Sequence, residues 1–388
     1  MSDRIVTGKG AAYRSASEAL HRDPVADRQA ARFRKLWECG FADLIRADFY
    51  GLLAFPEGVW GNLLDAGCGT GIEAANLRRL TPGLAIHGVD ISSVALADAV
   101  ARVDAGDAAF YQSALERLPF ADSVFDYISS HEVIEHIEDP ALVLREFWRV
   151  LRPGGVCAIA TPNGASWWLE HLRQRVKRAL GRRGAPVGED DTKSPSFWRR
   201  EFARAGFVVE RQIFDGAALE FQMLVAPPGW MPVLSRLLEP LRVVPGVNLL
   251  LCDRVKFRLL KPGRTNDRPR PISPCCPICR SALSEDGRGV SCAGGHRFLR
   301  NSAGLVDFSA LAPEGGGEAS AAMEEPSDAA EEPSDVSAPV RRSVPSRRWR
   351  RRALLVLSTG YAGLLLPLLP LGMILGIFYQ PFRQQHLS

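Results

Sequence analysis

Three groups of residues in this chain are of types and spacings that could do chemistry. In "LLDAGCGTGIEAANL" (63–77), Gly67, Gly69 and Gly71 alternate between an apolar run and a helical pattern. A strand ending at Asp65 that runs through Gly67-Cys68-Gly69-Thr70-Gly71 into a helix near Ile72 can turn sharply and let a ligand lie against bare backbone, with helix N–H groups beside it. The loop predicts a partly anionic ligand, flat against the chain. A dinucleotide fingerprint, G-x-G-x-x-G, is weakened because the third glycine, Gly71, comes one residue early and Ile72 follows it. Asp90 of "AIHGVDIS" stands nineteen residues past Gly71 (90 minus 71), at the end of the next apolar run. Its carboxylate can accept two hydrogen bonds from a ribose diol, so a nucleoside is predicted.

The second group is "SSHEVIEHI", with Glu132, Glu135 and His136 at i, i+3 and i+4 and His131 just before them. On a helix those three share one face. Three readings stay open: a divalent metal such as magnesium on the two carboxylates and the imidazole, a general base at His131 or His136, or a brace for a loop at the cavity wall. The third is "CCPICRSALSEDGRGVSCAGGHRF". Cys276-x2-Cys279 and, twelve residues on, Cys292-x3-His296 supply three thiolates and an imidazole, a closed tetrahedral set for structural zinc, with "SEDGRG" suited to a hairpin turn between them.

The elements that must position these groups follow from periodicity. From Leu63 to about Phe214 short apolar runs alternate with helical patterns, the signature of βαβ units. Strands are expected at 62–66, 84–90, 107–112, 124–129, 155–160, 207–213 and 249–260, and helices at 72–80, 92–103, 140–151, 166–180 and 195–205. Residues 1–60 are read as N-terminal helices over the ligand end. Residues 215–248 are read as an apolar helical insertion, serving as a core-covering flap or as a lid or membrane-surface contact. Asn163, Trp167 and Trp168 are expected to border an acceptor pocket, and Phe197 and Trp198 to pack in the core.

"LLDAGCGTG", "GVDIS", "LPFADSVFDYISSHEVIEHIEDP" and "FWRVLRPGG", in order over 63–155, resemble the class I S-adenosylmethionine-dependent methyltransferases, in particular the quinone-biosynthesis O-methyltransferase subgroup. The resemblance implies an α/β, Rossmann-like seven-stranded methyltransferase sheet with helices on both faces, over 61–262. It implies that Asp65 with the backbone of Gly67 and Gly69 holds the methionine end of S-adenosyl-L-methionine, that Asp90 takes the ribose hydroxyls and that Ile91 packs on the adenine. Cys68, Gly71 and Ser130 complete the implied set. Ser113 and Ala114 stand where the family often has an acid for the adenine amino group, so adenine recognition is expected from the Ala114 N–H. In the same terms His131, Glu132, Glu135 and His136 are the catalytic candidates. The Cys276, Cys279, Cys292 and His296 module, 274–310, resembles a Trm112-like zinc ribbon, read as structural or as a docking surface for a protein partner.

The remaining composition concerns place. The net charge of +4 over 388 residues implies no general affinity for nucleic acid, and the N-terminus shows no apolar signal-peptide core. A linker (263–273) precedes the cysteine module. Beyond the module, an acidic stretch too poor in apolar residues to fold and then an Arg-rich stretch make up 311–352. Seven arginines in 341–352 stand before the uncharged run Ala353 to Tyr379, 27 residues, which at the helical rise covers roughly 40 Å. One C-terminal transmembrane helix at 353–379 is therefore expected, with the catalytic body on the cytoplasmic side by the positive-inside rule. The function expected is methylation, at oxygen, of a small lipid-soluble, lipid-linked or natural-product acceptor by a membrane-tethered enzyme. The rivals are an RNA or protein methyltransferase and an inactive scaffold.

Overall fold

The computed structural model describes residues 48–103, 106, 108–166, 175, 192–217, 231–264, 271–301 and 303–311, all within one compact unit. The residues before 48, the expected helix 166–180 beyond Ser166 and Arg175, Trp167 and Trp168, and the expected transmembrane segment 353–379 with its Arg-rich approach lie outside the described residues. Among the described residues no helix is long and apolar enough to cross a membrane.

Seven strands form one sheet: β1 (Gly61–Ala66), β2 (Leu84–Asp90), β3 (Ala108–Gln112), β4 (Phe125–His131), β5 (Leu151–Pro162), β6 (Val208–Ala217) and β7 (Cys252–Leu260), in the order β3-β2-β1-β4-β5-β7-β6. β7 alone runs antiparallel to its two neighbours. Between them lie α1 (Ile72–Leu80), α2 (Ser93–Arg102), α3 (Pro140–Val150), α4 (Pro195–Arg204), α5 (Met231–Leu238) and α6 (Val247–Leu251). This is a Rossmann-like α/β sheet of parallel strands with one antiparallel member.

The strands are buried on both faces, which is why they read as continuous apolar runs rather than alternations. Side chains nevertheless divide with period two. On β5, Cys157 and Ile159 join a core with Leu144 and Phe147 of α3 and Trp198 and Phe202 of α4. Val156, Ala158 and Ala160 join the opposite core with Ala74 and Leu77 of α1, Leu96 and Ala99 of α2, and Phe49, Leu52 and Leu53 from the helical stretch 48–53. Helices therefore cover both faces.

Several boundaries differ from expectation: β5 spans Leu151–Pro162 rather than 155–160, and β6 continues to Ala217 rather than ending at 213. "LLL" at 249–251 is not strand: Gly246, at φ 79, opens the short helix α6, and β7 begins only at Cys252. β4 runs on to His131, so the acid-rich segment starts on a strand end. The cysteine module is a separate three-stranded antiparallel sheet, β8 (Leu283–Glu285), β9 (Gly289–Cys292) and β10 (Arg297–Leu299), around Val290, Phe298 and Phe308.

Next to β3, His87 on β2 stacks on Tyr111 with the edges of Phe120 and Phe125 around it, and burial pushes its imidazole down to about 4. The unfolded chain takes up a proton below 6.5, which the fold refuses until about 4, so this group lowers stability as pH falls through that window. Wild type should lose roughly 2–3 kcal/mol more than His87→Leu between neutral pH and about pH 4.5 in urea unfolding; equal losses would assign acid lability elsewhere.

Candidate active site at the carboxyl edge of the sheet

The parallel strands end together on one edge, and antiparallel β7 begins there. The glycine loop leaves β1 at that edge. The N–H groups of Gly67 and Cys68 both donate to the Val89 carbonyl, at 2.8 and 3.0 Å, which ties the turn to β2. Gly67 lies at φ 77, and a Cβ there would stand 2.4 Å from Val133 Cγ2, so only glycine fits. Gly69, at φ 49, has nothing within 4 Å of where a Cβ would stand, so its backbone opens onto space. Gly71, at φ 73, caps α1 with no side-chain bond to the helix N-terminus.

Three acids surround this opening. Asp65 is 2% exposed, and its Oδ2 is buried with no hydrogen-bond partner among the described residues. Burial, then Glu73 and Asp90, raise its pKa well above the usual carboxylate range. A buried carboxylate held that way gains most from a cation. This end of the loop therefore favours a cationic group on a ligand. Asp90 braces the loop as well as ending β2. Its Oδ2 accepts the Gly69 N–H at 2.9 Å and its Oδ1 the Ser92 N–H at 2.8 Å, and Ser92, not Asp90, caps α2. Ile91 follows directly and is half-buried.

The other expected cofactor residues divide. Cys68 is buried, and a Cβ on Gly88 would meet its Sγ at 2.9 Å, so it packs inward. Ser113 spends its hydroxyl on the carbonyls of Ala114 and Arg117, at 3.3 and 3.1 Å. Ala114 is 2% exposed. The buried hydroxyls of Ser129 and Ser130 at the end of β4 have no partner among the described residues.

The acid–histidine segment is not one helical face. Glu132 has left-handed backbone at φ 57 between β4 and a single 3-10 turn, Ile134–His136. This break sends the side chains apart. Glu132 pairs with Arg254 at 3.3 Å, whereas Glu135 is buried and accepts from Thr161 Oγ1 at 3.2 Å. Among the described residues the one grouping of metal-ligating side chains is the cysteine module, so a magnesium site on Glu132, Glu135 and His136 is corrected. Asn163 also departs from expectation. It is 2% exposed and donates to the carbonyls of Leu249 and Cys252, both at 2.8 Å, so it anchors α6 to β5 instead of lining a pocket.

Several contributors were missed. Tyr50 donates its hydroxyl to Glu73, and Phe49 lays an edge-on ring contact 4.9 Å from His131, so the helical stretch 48–53 closes over both the loop and the end of β4. A row of ion pairs follows toward β6: Glu132–Arg254, Asp48–Arg242 at 2.6 Å, and Asp215–Lys256 at 2.6 Å, with Lys256 fully buried. The one signal was the period-two basic series Arg254, Lys256, Arg258 in "DRVKFRLL".

In the cysteine module, Cys276, Cys279, Cys292 and His296 place their ligand atoms within 4.8 Å of one another. Sγ of Cys279 and Cys292 lie 3.5 Å apart, and His296 Nδ1 lies 3.6 and 3.4 Å from Sγ of Cys276 and Cys292. The edges of a tetrahedron with metal–sulfur bonds of about 2.3 Å and metal–nitrogen bonds of about 2.0 Å are about 3.8 and 3.5 Å. The donors thus already stand at metal-binding spacing. Burial pushes Cys276 up to about 11, while hydrogen bonds from Ser281 draw Cys279 down to about 6.

Residues 64–159 match the family model described as a methyltransferase domain. The demethylmenaquinone methyltransferase of Chlorobaculum parvum is 37% identical over 100 residues, 26% of this chain and 40% of that protein. The ubiquinone biosynthesis O-methyltransferase of Sodalis glossinidius is 34% identical over 125 residues, 31% of this chain and 48% of that one. The chain thus spans less than half the length of these curated relatives. Among solved structures, a Haloferax volcanii complex of the Trm112 methyltransferase activator and a methyltransferase matches at TM-score 0.41 and 22% identity, over 61% of this chain and 97% of that one.

The two glycines should separate folding from ligand binding. Gly67→Ala should lower stability by roughly 2 kcal/mol or more, because its methyl meets Val133. Gly69→Ala should cost only about 1 kcal/mol, for its left-handed backbone, but abolish ligand binding. Thermal unfolding beside binding titration checks both; equal destabilisation would remove the open cradle.

Proposed function

With residues 64–159 an S-adenosylmethionine-dependent methyltransferase domain, we propose that the chain transfers the methyl group of S-adenosyl-L-methionine to an oxygen of a small acceptor at the carboxyl edge of the sheet. The observation that carries this is Asp65: a buried, unpaired carboxylate oxygen beside the open backbone of Gly69, with Glu73 and Asp90 adding negative charge. A cofactor with an ammonium and a sulfonium answers that demand, and supplies an activated methyl group. In this reading Asp65 holds the methionine end, Asp90 adds the ribose diol to the two amides it already braces, and Ile91 packs on the adenine.

Methyl transfer from a sulfonium is downhill, so the chain's work is alignment and removal of a proton. His131 is the base in this reading. It sits at the end of β4 with its ring edge on Phe49, while Glu132 and Glu135 are committed to Arg254 and Thr161. Structural zinc on Cys276, Cys279, Cys292 and His296 is supported by their donor spacing. Tethering at 353–379, with a lipid-soluble or lipid-linked acceptor on the cytoplasmic face, is supported by the uncharged run and the arginines before it.

Titration calorimetry with S-adenosylhomocysteine should give binding that Asp90→Ala weakens at least tenfold; unchanged affinity would remove the ribose assignment. With methyl-labelled cofactor and a lysate of the source cells, label should enter the organic-soluble fraction. Label in RNA or protein instead would replace the acceptor class. His131→Ala should lower kcat by about 10²–10⁴ with binding intact, and retained kcat would clear His131 of the role.

A further inference from the structure

One side chain is shared by the C-terminal module and the cofactor edge. Gln112 ends β3, the outermost strand, and is 2% exposed. Its carbonyl accepts the Phe308 N–H at 2.8 Å, and Asp307 forms a parallel bridge beside it. Its Oε1 accepts from Asn301 Nδ2 at 2.6 Å, and its Nε2 donates to the carbonyl of Ile91 at 3.3 Å. Asn301 has no freedom to turn, because its Oδ1 accepts the N–H groups of Ala303 and Leu305, at 2.9 and 3.0 Å. Asn301 therefore presents a donor, Gln112 must meet it with oxygen, and its amide nitrogen is left for Ile91. One residue on, Ser113 N–H donates to the Asp90 carbonyl at 3.0 Å.

The module is also seated on the loop between β3 and β4. Arg280 donates to the Leu118 carbonyl at 2.7 Å and pairs with Glu146 at 3.1 Å, and Cys275 N–H donates to the Pro119 carbonyl at 2.9 Å. Tyr111, next to Gln112, packs into the module's own apolar core. The module that carries the four-residue cluster is thus bonded, through Asn301, Asp307 and Phe308, to the strand end from which the Asp90–Ile91 turn is held.

We infer that Gln112 is a positioning residue through which this module sets the adenosine end of the cofactor site, with Asn301 fixing the orientation of its amide. The inference rests on the cofactor reading above. The module is then a working part of the site rather than a separate appendage, since losing the Asn301 donor lets the Gln112 amide turn and sets oxygen against the Ile91 carbonyl.

The test uses full-length protein carrying Asn301→Asp, which keeps the two bonds to Ala303 and Leu305 and replaces the donor by an acceptor. Titration calorimetry should show binding of S-adenosylhomocysteine weakened about five- to tenfold, and of 5′-methylthioadenosine, which shares the adenosine end, to the same degree. Gln112→Leu should match it, and the double variant should lose no more than either alone, because the two residues act as one unit. Bound metal should stay at the wild-type value, and the melting temperature should fall by only a few degrees, leaving the protein fully folded at the titration temperature. Unchanged affinity in the variants overturns the inference, as does weakened affinity that tracks unfolding at the titration temperature or a fall in metal content. If wild type binds neither nucleoside, the methyltransferase reading itself fails and takes this inference with it.

Discussion

The ligand edge depends on how closely the backbone at Gly67 approaches Val133. That contact brings the end of β1 against the segment after β4, while two amides of the same turn converge on the Val89 carbonyl of β2. Three strand ends are fixed at once. Asp65, Asp90 and His131 then occupy one edge because they are the terminal or near-terminal residues of β1, β2 and β4, and no loop has to fold precisely to assemble them.

Charge distribution around that edge follows from burial. Asp65, Glu73 and Asp90 crowd together on the β1–β2 side with no basic partner for the buried Asp65 oxygen among the described residues, which raises a carboxylate and stores a demand for a cation. On the β6–β7 side each acid has its own base: Glu132 with Arg254, Asp48 with Arg242, Asp215 with Lys256. For Asp215, burial raises the pKa, but the neighbouring Lys256 more than offsets it and the carboxylate stays below its ordinary range. A buried pair contributes little net stability, but removing one partner is costly, so Asp215–Lys256 holds β6 and β7 in one arrangement. Unsatisfied charge sits where a cofactor would lie, and satisfied charge sits where the scaffold must stay put.

The outer edge of the sheet is handled differently. An exposed edge strand presents unpaired backbone groups. Here Asn301, Asp307 and Phe308 meet Gln112 at the end of β3, so the cysteine module covers that end of the edge while its own core borrows Tyr111. The aromatic group of His87, Tyr111, Phe120 and Phe125 lies immediately behind, which makes β3 the strand on which the module and the methyltransferase sheet share their packing.

Local pattern alone was enough for whatever one stretch of chain decides for itself. β2 at 84–90 and α1 at 72–80 stand where apolar runs and helical spacing put them, and the glycine loop lies between strand and helix because left-handed backbone there excludes other residues. The cysteine spacing likewise anticipated the grouping of Cys276, Cys279, Cys292 and His296, since a two-residue gap is itself a local constraint. The tertiary structure decided what depends on neighbours distant in sequence. Glu132, Glu135 and His136 read as one helical face, yet β4 continued through His131 because its partner β5 continued alongside. Asn163 read as a pocket residue and became an anchor because α6 ended against it. Period two marks Lys256 but not its partner Asp215, forty-one residues away, and nothing periodic marks Gln112 between Ile91 and Asn301, because a hydrogen bond between chain segments is specified by where both are packed and not by either segment's own order of residues.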